Sequence, residues 1–277
     1  MLHAAATETV PVRPGVGPHV RRARRVAHRL ARGMLPRLAP GARELAFALA
    51  ARVGSGPAVL PGVPPGPVLV VAPHPDDETI GCGGAIARHV LAGDALTVVV
   101  ATSGEATGGG GAAAAAAREA ECRAACTALG CGEPVFLRLP DGGLTGAVDA
   151  LAAGLRRHAG DAALVYTPAL LDPHPDHRAA NLAVAAARLG AEVLGYEVWS
   201  PASVDVVLDV GSVWDRKQLA LRCYPVALQS VDYLGATAGL TAYRGITAGL
   251  GPQARAEGFV RLSASEHADL LTRAGWR

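Results

Sequence analysis

The apolar run Val68-Leu69-Val70-Val71-Ala72 breaks off into Pro73-His74-Pro75-Asp76-Asp77-Glu78, a histidine followed at once by consecutive acids. Further along, Ala162-Ala163-Leu164-Val165-Tyr166 leads into Asp172-Pro173-His174-Pro175-Asp176-His177. Carboxylates and imidazoles at the ends of buried strands pack poorly. They suit a ligand site, because open α/β sheets bind ligands at the carboxyl ends of their strands. Neutral imidazole and carboxylate together are ordinary ligands for a borderline cation such as zinc. Two such clusters are what metal-assisted hydrolysis needs.

Each residue also has a plainer reading. His74 alone could be a satisfied polar histidine, and Asp77 or Glu78 could cap a helix starting near Ile80. Three acids at one strand tip repel one another, however, and a bound cation is the natural remedy. Two histidines and one carboxylate would hold it and leave a position for water, with a spare carboxylate as general base and a spare histidine facing an oxyanion. Asp176 is suited to orienting a histidine from behind. Spacing leaves open which of Asp76 and Asp77, and which of His174 and His177, is the ligand. The turn Gly81-Cys82-Gly83-Gly84 invites a dinucleotide reading, but it follows the acids, which would repel a pyrophosphate. Its glycines are read instead as allowing close approach of helix to sheet.

The elements around these motifs alternate. Strands are expected at Val68–Ala72, Ala95–Ala101, Pro134–Leu139, Ala162–Thr167 and Glu192–Trp199. Helices are expected at Ile80–Ala92, Ala112–Leu129, Ala147–His158 and Arg178–Leu189. This order predicts an α/β fold: a Rossmann-like, mostly parallel sheet with helices on both faces. Beyond Val204 the pattern is mixed. Gly108–Gly111 reads either as a lid or as a low-complexity loop running into a helix.

At 277 residues and 50% hydrophobic content, a sizeable core is available, although aromatics make up only 4%. The net charge of +2 is unevenly spread, with nine arginines between Arg13 and Arg43 and a net acidic remainder, which disfavours a nucleic-acid partner. Residues 1–56 are expected to form an Arg-rich helical N-terminal arm and linker, with helices near Val20–Met34 and Ala42–Arg52, and residues 57–277 the main domain. The arm is read chiefly as a surface helix packing on the body or on another copy; any membrane association is assigned to it alone. Five cysteines without a CxxC pair are read as free thiols, and the lack of a membrane span or leader places the chain in the cytoplasm.

Ala72-Pro73-His74-Pro75-Asp76-Asp77-Glu78 with Gly83-Gly84, and His174-Pro175-Asp176-His177, resemble the PIG-L/LmbE-like zinc N-deacetylases. Weaker matches are Thr102-Ser103-Gly104-Glu105, Arg118 with Glu121, Leu139-Pro140-Asp141-Gly142, Glu197-x-Trp199, Tyr243-Arg244-Gly245 and Ala256-Glu257-Gly258-Phe259. The resemblance implies a Zn2+ enzyme acting on an N-acetylated amino sugar or glycoside. It implies His74, Asp77 and His177 as metal ligands, Asp76 as general base and then acid, and His174 as the electrophilic histidine. Glu78, Arg118 and Asp141 are assigned to supporting or sugar-binding positions. Two rivals are a non-haem iron oxygenase, which also uses two histidines and a carboxylate, and a non-catalytic metal-binding protein on the same fold.

Overall fold

Val68–Ala72 forms a strand whose alternate residues serve different layers. Val68, Val70 and Ala72 face one core with Cys82, Ile86, Cys122 and Leu129, whereas Leu69 and Val71 face another with Leu151, Leu155, Ala180 and Ala183. A strand buried on both faces must be apolar throughout, which is why this run shows no polar alternation. The computed structural model describes residues 56–106 and 110–276. The expected arm helices and half of the glycine run at 108–111 lie outside them.

Eight strands form one sheet: β1 (Ala58–Val59), β2 (Val68–Ala72), β3 (Leu96–Thr102), β4 (Val135–Leu139), β5 (Leu164–Pro168), β6 (Glu192–Tyr196), β7 (Val206–Asp209) and β8 (Ala256–Leu262). Their order is β1-β7-β8-β6-β5-β2-β3-β4. All neighbours are parallel except β8, which runs antiparallel to both β6 and β7. The helices of the described residues are α1 (Asp77–Ala92), α2 (Gly111–Leu129), α3 (Val148–His158), α4 (Pro175–Ala187), α5 (Trp214–Leu221), α6 (Pro225–Leu228), α7 (Tyr233–Thr247) and α8 (Ala264–Arg273). None of them is long and apolar enough to cross a membrane.

The expected alternation is present as far as β6, with two shifts that matter. Helix α1 begins at Asp77 rather than Ile80, and α4 begins at Pro175 rather than Arg178. Proline is well tolerated in a first helical turn, where its missing N–H has no intrahelical partner to lose, and the His174 side chain accepts from the Asp176 amide as the N-cap. Asp77 and His177 are therefore held on helices, not loops. The expected strand to Trp199 stops at Tyr196.

From β2 the chain moves outward through β3 and β4, then returns to lay β5 and β6 on the other side of β2. The carboxyl ends of β2 and β5 thus flank a topological switch point, the usual ligand crevice of doubly wound sheets. The close approach assigned to the glycine turn is real. A Cβ on Gly81 would lie 2.1 Å from Tyr196 Cδ2, and the Tyr196 hydroxyl donates to the Val71 carbonyl at 2.8 Å.

Candidate active site

Both His/Asp motifs open into this crevice. After β2, Pro73-His74-Pro75 leads to Asp76, the N-cap of α1, whose φ of 134° lies where side chains are strained. Its surroundings hold it there. The Arg118 Nη2 donates to the Pro75 carbonyl at 2.7 Å and to Asp76 Oδ2 at 3.2 Å, while the Asp76 amide donates to Glu78 Oε2 at 3.2 Å. Burial, opposed by Arg118 and reinforced by the Asp77 and Glu78 charges, pushes the Asp76 carboxyl up to about 7.

Asp77 Oδ2 is shared. It accepts the His74 amide at 2.9 Å and lies 3.1 Å from His74 Nδ1 and 3.2 Å from His177 Nε2. Burial alone would raise this carboxyl, but His177 and His74 hold it far below the usual range. His177 is fully enclosed, with Asp172 Oδ1 3.1 Å from its Nδ1. Burial lowers its pKa, yet Asp77 and Asp172 outweigh that and push it up to about 9. Neither ring nitrogen makes an aligned hydrogen bond despite these short distances. A buried imidazole flanked by two carboxylates, with no aligned hydrogen bond to either, fits the role of a metal ligand.

His74 Nε2 faces away from Asp77, 3.2 Å from both Asp141 Oδ1 and Asp176 Oδ2. Asp176 also accepts the Gly142 and Leu144 amides at 2.8 and 3.1 Å, so it fixes His74 and the loop after β4 together. Asp141 is locked reciprocally with the turn after β3: its amide donates to Glu105 Oε1, and the Ala106 amide donates to Asp141 Oδ2, both at 2.9 Å.

His174 completes a triangle of rings, its centroid 4.8 Å from that of His74 and 4.9 Å from that of His177. One donor atom from each of the three lies within 4.8 Å of the others. Because His174 Nδ1 accepts the Asp176 amide at 3.2 Å, its neutral ring carries the proton on Nε2. Burial, with His74 and His177 alongside, lowers its pKa and favours that neutral form. The Trp199 ring stacks against it at 6.2 Å and remains 51% exposed, lining the crevice mouth.

The structure thus brings His74, Asp76, Asp77, Arg118, Asp141, His174, Asp176 and His177 together. Of the residues assigned to supporting or sugar-binding positions, Glu78 stands behind the others. It is fully enclosed, and its carboxylate accepts from Thr79 and from Tyr224, so it braces the turn from behind and offers nothing to a sugar. Burial raises its pKa. One donor atom from each of Cys122, Cys126 and Glu78 lies within 4.8 Å of the others, and all five cysteines are free. Sequence reasoning gave no role to Asp172, although it stands in the second motif, nor to Tyr224, whose approach to Glu78 across the sequence leaves no local signal.

The site is a histidine–carboxylate cluster at the switch point of a doubly wound α/β sheet. The GlcNAc-PI de-N-acetylase (PIG-L) family profile matches residues 69–188. The chain is 33% identical over 138 residues to the uncharacterized deacetylase YaiS of Escherichia coli K12, covering 47% of this chain and 72% of that protein. It therefore belongs to the PIG-L family. It is also 34% identical over 169 residues to the 1D-myo-inositol 2-acetamido-2-deoxy-alpha-D-glucopyranoside deacetylase of Rhodococcus erythropolis, covering 48% of this chain and 58% of the relative, less than two thirds of its length. Among solved structures, the conserved protein TT1542 from Thermus thermophilus superposes with a TM-score of 0.59 at 31% identity, covering 70% of this chain and 93% of that one.

Proposed function

We propose that this protein is a zinc-dependent hydrolase that removes an N-acetyl group from an amino-sugar glycoside, releasing acetate and a primary amine. One observation carries the reading: Asp77 Oδ2 stands between His74 Nδ1 and His177 Nε2, with Asp76 beside it on the same turn. Metal binding alone needs neither Asp76 nor His174, so their presence favours catalysis over a storage or scaffold role. The substrate class rests on the Rhodococcus relative, named for an N-acetylated glucosaminyl-inositol.

His74, Asp77 and His177 would hold the ion, with Asp141 and Asp176 fixing His74 and Asp172 facing His177 Nδ1 at 3.1 Å. The two-nitrogen, one-oxygen donor set and the unbonded His177 nitrogens fit zinc. When bound, zinc supplies a Lewis acid that brings water's pKa from 15.7 toward about 7 and polarises the acetamide carbonyl. Asp76 accepts the proton of the attacking water, and Arg118 anchors its carboxylate through Oδ2. His174 donates from Nε2 to the oxygen that gains charge as the carbonyl becomes tetrahedral. Asp76 then returns its proton to the departing nitrogen, and the C–N bond breaks.

The test is acetate release from a panel of N-acetylglucosaminides, measured on zinc-loaded, chelator-treated and zinc-restored protein. Loss with the chelator and recovery with zinc are expected. Stoichiometric zinc without release from any member would remove the hydrolase reading, and turnover requiring oxygen would favour the iron rival.

A further inference from the structure

Helix α1 is not continuous. Cys82 leaves helical geometry at φ −141° and ψ 22°, so the turn carrying Asp77 and Glu78 ends there and a second helix starts at Gly83. A break leaves carbonyls unpaired on one side and N–H groups on the other. Cys82 is fully buried, so water is a poor partner for them. One ion pair serves both ends. Lys217 Nζ, from α5, donates to the Ile80 carbonyl at 2.8 Å and to Glu257 Oε1 at 2.6 Å. Glu257, from β8, accepts the Gly84 amide on Oε1 at 2.7 Å and the Ala85 amide on Oε2 at 2.8 Å. The cation thus closes a helix C-terminus and the anion opens the next N-terminus, the favourable sign at each.

The pair is deeply set, Lys217 being 1% exposed and Glu257 3%. A Cβ on Gly84 would lie 2.6 Å from Val210 Cγ1 and 2.9 Å from Glu257 Oε1, so this approach requires glycine. Buried ion pairs add little net stability against apolar replacements, and an unbroken helix would need none here. What the break provides is a first turn oriented independently of the rest of α1.

We propose that Lys217 and Glu257 are positioning residues, clamping the break so that the first turn of α1 presents Asp76 and Asp77 to His177 from the opposite motif. The proposal rests on the reading of Asp77 as metal ligand and Asp76 as base. Neither clamp residue touches the reacting atoms; both act through the turn.

The test uses the full chain with Lys217→Met and Glu257→Gln, and Leu155→Ala as a comparison that loosens the core on the other face of the sheet. In metal-free protein, amide exchange is followed at Thr79 and Ile80, which donate to the Asp76 carbonyl at 3.0 and 2.9 Å. Both clamp variants are expected to speed that exchange at least about tenfold relative to Leu155→Ala. They should also weaken zinc binding by about ten- to a hundredfold and lower kcat with KM near the wild-type value. Leu155→Ala should lower Tm alone. Folded clamp variants with wild-type exchange and zinc affinity would overturn the proposal. Should neither fold, Glu257→Asp, which keeps the charge but shortens the reach to Gly84 and Ala85, is read by the same outcomes. Failure of the wild-type chain to bind zinc would instead remove the metal reading, and the exchange comparison would still decide the clamp.

Discussion

Asp76 and Asp77 are neighbours in sequence and of one chemical type, yet the fold treats them oppositely. Asp76 takes a strained backbone and an arginine partner; Asp77 takes a helical backbone and two imidazoles. Asp77→Ala is therefore expected to lose zinc, whereas Asp76→Asn should keep it and lose about two to four orders of magnitude in turnover. Metal analysis of the two purified variants decides, and stoichiometric zinc in Asp77→Ala would reverse the assignment. His174 can be separated from His177 in the same way. With its Nδ1 committed to capping α4, His174→Ala should retain zinc and substrate binding but turn over about a hundred- to a thousandfold more slowly. Metal loss in that variant, with His177 intact, would show that the two histidines exchange roles.

At the scale of elements, one residue in the middle of α4 ties it to both β5 and α8. Asn181 Nδ2 donates to the Pro168 and His177 carbonyls, both at 3.0 Å, leaving Oδ1 to accept from His267 Nε2 of α8 at 2.8 Å. Burial pushes His267 down to about 4, so the folded protein keeps this ring neutral where the unfolded chain would protonate it. The sign follows: its contribution is fully present above about pH 6.5, declines as pH falls, and is lost below about pH 4, in total on the order of 3 kcal/mol. The stability difference between wild type and His267→Gln should change across that window and flatten on either side, as urea unfolding at stepped pH would show. A difference independent of pH would mean the ring titrates normally. None of this coupling was visible in the sequence, for a physical reason. The strands, the helices as far as β6 and the two reactive motifs are local patterns, readable from apolar periodicity and from charge that has no business at a strand tip. Asp172 behind His177, Tyr224 behind Glu78 and Lys217 at the break in α1 are contacts between distant segments, and a side chain carries no mark of a partner it meets only after folding. Glu257 stood within a recognised segment without a role, and the antiparallel insertion of β8 was unreadable where the α/β alternation stops.

For the molecule as a whole, the nine arginines between Arg13 and Arg43 contrast with a net acidic remainder that contains every residue assigned to the site. A chain beginning at Gly56 is expected to bind zinc and release acetate from small soluble N-acetylglucosaminides. Lower Tm or altered sedimentation on truncation would assign the arm to packing. Unchanged stability with loss of salt-sensitive binding to anionic vesicles would assign it to a membrane surface. A folded but metal-free truncation would contradict the proposed separation of arm and domain. The place of β8 has a consequence for how such a molecule is made. β2 to β6 become available in the order in which they join the sheet, but β7 and, through it, β1 attach only through β8. Glu257 arrives in that same strand, so the break in α1 is closed when the sheet is joined. On the ribosome, a nascent chain can expose both His/Asp motifs long before residue 257 emerges, and through that interval it holds these groups without the geometry that joins them. On the proposed reading, metal capture is therefore expected among the late steps of synthesis.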